Sequence, residues 1–140
     1  MYILGINAFH GDVSAVLLND GELVGAVEEE RFRRVKHWAG FPTQSIHKVL
    51  EMGGITGHQV DHVAVSRNPR ANLVRKGLFA LGNRPSAALL RDRMSNARRV
   101  LDLKAPLAEA LGVDRLPRVH YVEHHPSHLA STFFVSPFDD

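Results

Sequence analysis

The chain has 140 residues, 44% of them apolar and 23% charged, with no cysteine and a formal net charge of +2. That is the size and make-up of one globular domain, and it excludes disulfides, thiolate metal sites, collagen-like repeats and intrinsic disorder. No apolar run nears the ~20 residues of a membrane-spanning helix and no basic-then-apolar leader opens the sequence, so the expected location is cytoplasmic.

Residues 2–6 are a short apolar run closing on Gly5-Ile6-Asn7, which predicts a buried first strand. Small and β-branched residues over 12–18 predict a second. Asn19-Asp20-Gly21 predicts a tight turn, because Asp and Gly enter the left-handed region at low cost. Residues 22–28, carrying Leu23, Val24, Ala26 and Val27, complete a hairpin, so the chain opens with three antiparallel strands. The charged stretch 29–40 reads as a loop. Phe41-Pro42-Thr43 leads into a helix with Thr43 as its N-cap; Ile46, Val49, Leu50 and Met52 form the apolar stripe and Gly53-Gly54 the stop.

Residues 60–66, with Val60, Val63 and Val65, predict a fourth strand. The stretch 68–111 is mostly helical in pattern, punctuated by Pro69, Gly82, Pro85 and Pro106. Residues 116–122 predict a further strand with Val119 and Tyr121 on one face. Residues 127–134 predict a helix preceded by Pro126, which a first turn tolerates. The order of elements is α/β. Ser136-Pro137-Phe138-Asp139-Asp140 is a turn composition, and a sheet of four or five strands reads as unfinished there.

Charge is unevenly spread. Ten Lys or Arg residues lie from Arg67 to Lys104 against only Asp92 and Asp102. A solvated helical face explains them; phosphate or nucleic-acid binding is the alternative, set back by a lone aromatic, Phe79, and no nucleic-acid motif.

Three local patterns carry chemistry. In Glu123-His124-His125-Pro126-Ser127-His128, imidazoles four residues apart would share a helix face and suit one metal ion, although Pro126 places His124 before the helix proper. The alternative is a set of half-buried imidazoles at a helix end. In His10-Gly11-Asp12, a His near an Asp in a strand-to-strand loop is either an oriented base or a plain turn. In Glu28-Glu29-Glu30-Arg31-Phe32-Arg33-Arg34-Val35-Lys36-His37, dense mixed charge is either solvated surface or a cradle for an anionic group.

In order and wording, these patterns resemble the carbamoyltransferase family of nodulation-factor, cephamycin and aminoglycoside O-carbamoyltransferases. The resemblance rests on Gly5-Ile6-Asn7, His10-Gly11-Asp12, Asn19-Asp20-Gly21, the string from Glu28 through Trp38-Ala39-Gly40-Phe41-Pro42, and His124-His125-Pro126-Ser127-His128-Leu129-Ala130-Ser131. The histidine motif is also similar in outline to that of the universal tRNA threonylcarbamoyl-transfer proteins.

The resemblance implies the N-terminal part of an actin/Hsp70/sugar-kinase-like domain over residues 1–140, a mixed sheet opening with a β-hairpin unit, with 68–111 as a basic, mostly helical insertion. It implies that carbamoyl phosphate and ATP form a carbamoyl-adenylate, whose carbamoyl group passes to an acceptor hydroxyl. His124 and His128 would be ligands of a divalent metal, Fe2+ in type, holding the nucleotide phosphate and polarising the mixed anhydride. His10 or Asp12 would deprotonate the acceptor, while Lys36, with Arg31 and His37, would contact the anionic or acceptor ligand.

Two departures stand out. Many relatives place His directly before Asp, whereas Gly11 intervenes here. The family's further metal carboxylates and glycine-rich nucleotide loops have no counterpart in this sequence. The expectation is therefore a fragment inactive alone, or a scaffold module completed by a second chain or a second copy.

Overall fold

The computed structural model describes residues 1–66 and 102–133, so the basic segment from Arg67 and the closing turn lie largely outside the described residues. Five strands, β1 (Tyr2–Asn7), β2 (Ser14–Asn19), β3 (Glu22–Glu28), β4 (His62–Val65) and β5 (Arg118–Tyr121), form one sheet in the order β3-β2-β1-β4-β5. The β1–β2 and β2–β3 pairs are antiparallel, while β1–β4 and β4–β5 are parallel. This is the mixed α/β sheet, opened by a hairpin unit, that the sequence leads one to expect.

Local chemistry sets the hairpin. Asp20 and Gly21 both take positive φ, 50° and 91°, the two left-handed residues that a tight primed turn needs. The broken alternation of the third strand has a cause. Leu17 pairs with Gly25 but Leu18 with Leu23, so Val24 is the extra residue of a β-bulge.

One face of the sheet holds the core. Leu4, Ile6, Ala15, Leu17, Val63 and Val65 alternate along β1, β2 and β4 and meet Ile46, Val49 and Leu50 of α2 (Thr43–Gly53). Leu107, Ala110 and Leu111 of α3 (Lys104–Leu111) join the same cluster. Period two on the strands and period 3.6 on the helix bring these side chains to one layer, each large aliphatic contributing ~1.5–3 kcal/mol. Gly5, Val16, Ala26 and Ala64 lie on the opposite face.

Several boundaries differ from expectation. The 29–40 stretch contains a short helix, α1 (Glu30–Arg33), ended by Arg34 at φ 57°, whose N–H donates to the Glu30 carbonyl at 2.8 Å. Thr43 is the first residue of α2 and Pro42 its N-cap, with no capping bond from that residue's side chain. Strand β4 is shorter than 60–66, and it is preceded by a 3-10 turn over Gly57–Gln59 closed by a Thr56–Gln59 capping box. The last helix, α4 (His124–Phe133), starts at His124 and so contains it. Pro126 fits in its first turn because that turn's N–H groups have no helical acceptor to lose. Among the described residues no helix is long and apolar enough to cross a membrane.

Candidate functional site

Strands β1, β3, β4 and β5 all run the same way, so their C-terminal ends lie along one edge of the sheet. The loop after β1 carries His10 and Asp12. The segment after β3 carries Arg31, Lys36 and His37, and α4 follows β5. Diverging connections at strand C-termini leave room for a ligand, which is why open α/β sheets bind there. Strand order thus brings all three sequence patterns to one edge.

Asn7, the last residue of β1, organises the first loop. Its Nδ2 donates to the carbonyls of Gly11 at 3.3 Å and Asp12 at 3.0 Å, while its Oδ1 accepts the Ser66 hydroxyl at 2.9 Å. Both ends of the amide are used, which tethers the His10-Gly11-Asp12 loop to the end of β4.

A second set of contacts joins this loop to the segment before α2. The Phe9 N–H donates to the Gly40 carbonyl at 2.8 Å, and the Phe9 and Phe41 rings lie 6.1 Å apart. His37 Nδ1 is 2.8 Å from Asp12 Oδ1. The Arg33 guanidinium stacks 4.6 Å over the Trp38 ring, holding the intervening turn. Asp12 and His37 both sit in the left-handed region, at φ 63° and 54°. The hydrogen bond to Asp12 and then its negative charge push the His37 pKa above the ordinary imidazole value; slight desolvation opposes this and Glu30 adds to it. His10 Nδ1 lies 3.2 Å from the Gly11 carbonyl oxygen.

The acidic triplet divides its work. Glu28 pairs loosely with Arg31 at 3.7 Å. Glu29 is fully buried, and its carboxylate accepts the N–H and hydroxyl of Ser45, both at 2.8 Å, the Gln44 N–H at 3.3 Å and Arg33 Nε at 3.3 Å. It supplies the cap that α2 lacks and places a negative charge at the positive end of that helix.

A cleft of ≈ 680 Å³ opens on the sheet face opposite the core. Gly5 and Val16 form part of its floor, Asn7 and Ser66 stand at the strand ends, and Glu28 and Arg31 are its charged lining. A Cβ at Gly5 would come within 2.6 Å of Val16 Cγ1, so any larger residue there would force the Val16 side chain to shift. Ser127 of α4 reaches the same cleft.

The structure therefore brings Asp12 against His37 and places Arg31 in the cleft wall, while Lys36 is exposed between Arg33 and His37. His124 and His128 occupy the first and fifth positions of α4, and the latter is exposed. Among the described residues no three His, Asp or Glu side chains gather at metal-binding distance. The donor chemistry of two imidazoles one turn apart fits a borderline divalent ion, but only as part of a coordination sphere. Asn7, Ser66 and Glu29 were not legible as site residues. The only signals were an Asn closing an apolar strand and a Glu shortly before a helix without its own cap.

Residues 2–140 match the carbamoyltransferase N-terminus family. The chain belongs to that family. It is 38% identical over 147 residues to an uncharacterized protein of Synechocystis sp., covering 99% of this chain and 24% of that protein. Against the nodulation protein NolNO of Sinorhizobium fredii it is 34% identical over 135 residues, covering 95% and 19%. The chain thus spans about a quarter or less of the length of these two relatives. Among solved structures, YeaZ from Pseudomonas aeruginosa aligns with a TM-score of 0.47 and 17% identity, over 87% of this chain and 43% of that one.

Proposed function

We propose that this chain contributes the acceptor-facing edge of a cytoplasmic O-carbamoyltransferase. The observation that carries the reading is the meeting of three motif segments at the C-terminal edge of the sheet, in a chain of the carbamoyltransferase family. In the reaction proposed, water releases phosphate from carbamoyl phosphate, and the carbamate oxygen attacks the α-phosphate of ATP, expelling pyrophosphate and giving a carbamoyl-adenylate. An acceptor hydroxyl attacks its carbamoyl carbon, the bond from that carbon to the phosphate oxygen breaks, and AMP leaves with the electron pair. Sugar, aminoglycoside and β-lactam hydroxyls are all acceptors of the right chemistry.

The chain's residues divide as follows. Arg31 in the cleft wall and Lys36 on the adjoining turn supply positive charge to the phosphate. Asp12, held by Asn7 and flanked by His10 and His37, belongs to the group that takes the acceptor proton. His124 and His128 would hold a divalent metal, Fe2+ in type. When bound, the metal supplies a further positive charge at the nucleotide phosphate.

Incubation with carbamoyl phosphate, ATP and a panel of these acceptors, read by mass spectrometry, tests the proposal. A carbamoyl ester that requires both carbamoyl phosphate and ATP supports it. An ester formed without ATP, or AMP release without an ester, rejects it.

A second reading follows from the small share of each relative that the chain spans. In it the chain is a module completed by a second chain or copy. Activity restored only on adding that partner favours this reading over the first.

A further inference from the structure

We propose that His37, oriented through Nδ1 by the Asp12 carboxylate, presents Nε2 as the base that accepts the proton of the acceptor hydroxyl. This rests on the function proposed above and names the imidazole within it.

Four observations converge on His37. The Nδ1–Oδ1 distance of 2.8 Å joins residues 25 positions apart, from two different loops. A carboxylate on Nδ1 fixes the neutral ring as the Nδ1–H tautomer, which leaves the Nε2 lone pair outward. The His37 side chain is 78% exposed, so an incoming hydroxyl can reach that nitrogen.

The pair is also mechanically held. Asp12 is anchored through its carbonyl to Asn7, and Asn7 to Ser66. Phe9 ties the same loop to Gly40 and Phe41, and Arg33 stacks on Trp38 beside the His37 turn. Finally, Asp12 and His37 are both non-glycine residues in the left-handed region. Backbone of that kind costs energy and persists where the surroundings over-determine it, as at reaction centres.

His10 is placed differently. Its Nδ1 lies 3.2 Å from the Gly11 carbonyl oxygen of its own loop.

Proton bookkeeping is simple. The acceptor O–H proton moves to His37 Nε2 as the oxygen–carbon bond forms and AMP departs. The imidazolium so formed is stabilised by Asp12 and loses its proton to water. No redox change occurs.

Two measurements on the same protein decide the matter. Long-range proton–nitrogen NMR above the His37 midpoint should show the Nδ1–H tautomer, and Asp12→Asn should lower that midpoint. In carbamoyl transfer, His37→Asn, chosen because Asn tolerates positive φ, should lower kcat by about 100-fold or more with little change in KM. The acidic limb of the pH–rate profile, where activity rises as the base loses its proton, should move down with the His37 midpoint in Asp12→Asn. An Nε2–H tautomer, or a limb that survives in His37→Asn and vanishes in His10→Gln, overturns the assignment. Absence of any carbamoyl ester from the unmodified protein, both alone and on adding the partner that completes it, instead rejects the carbamoyltransferase function, and with it this role for an intact dyad.

Discussion

The Glu29 carboxylate receives the backbone N–H and the hydroxyl of Ser45, both at 2.8 Å, with no exposure to solvent. Replacing it by Ala would strip α2 of its cap and leave two buried donors of Ser45 without an acceptor. The expected cost is about 2–4 kcal/mol, from the lost cap and the unsatisfied donors together. Glu29→Gln keeps one acceptor oxygen and should cost less. Urea unfolding at neutral pH measures both. A loss below about 0.5 kcal/mol for the Ala variant, within the range of ordinary surface changes, would show that α2 does not depend on this cap.

The Asp12–His37 pair predicts a pH signature. The folded-state pKa of His37 lies above its ordinary value of 6.5. The pair's stabilisation is therefore fully present below that value and is lost as pH rises through the higher folded midpoint. NMR titration of the His37 ring should place its midpoint above 6.5 and lower it in Asp12→Asn. Glu30→Gln should lower it less, since that charge is the smaller contributor. A wild-type midpoint at or below the ordinary value would contradict the geometry.

Asn7 predicts coupling between β4 and the loop after β1. Asn7→Ala removes two bonds to the loop carbonyls and the acceptor of Ser66. The expected loss is ~1–3 kcal/mol, with faster amide exchange at Gly11 and Asp12. Ser66→Ala should have a smaller effect, because it leaves both Asn7 donor bonds in place. Equal effects of the two changes would mean that the Ser66 bond, rather than the loop bonds, carries the coupling.

The elements that the sequence announced are those fixed by local chemistry. The hairpin was legible because Asp20 and Gly21 impose its turn, and α2 because Ile46, Val49 and Leu50 keep helical spacing up to Gly54 at φ 61°. Helix α1 was not legible. It is four residues long and has no buried residue, so no apolar period marks it. Its N-terminal neighbour Glu29 acts on Ser45, 16 residues away, a relation no local pattern encodes. The candidate site divides in the same way. Residue types and motif wording pointed to Asp12, Arg31, His37 and His128, but that their segments share one end of the sheet depends on strand order, and the pairing of Asp12 with His37 depends on two loops meeting. His124 lies inside α4 rather than before it, because a proline in the first turn forfeits no helical hydrogen bond.

That helix placement sharpens the expectation for metal. Positions i and i+4 lie on one helical face, so His124 and His128 share a side of α4. Two imidazoles alone leave coordination positions to water or other groups. The expected behaviour is therefore weak, chelator-reversible binding of a divalent ion. Calorimetric titration with Fe2+ under anaerobic conditions should detect it, and His128→Ala should reduce it by at least about tenfold, as losing a direct ligand does at least as much as the 10–100-fold typical of outer-shell groups. His124→Ala should behave alike. Binding that survives both substitutions would move the metal away from α4 and remove these two residues from the proposed site.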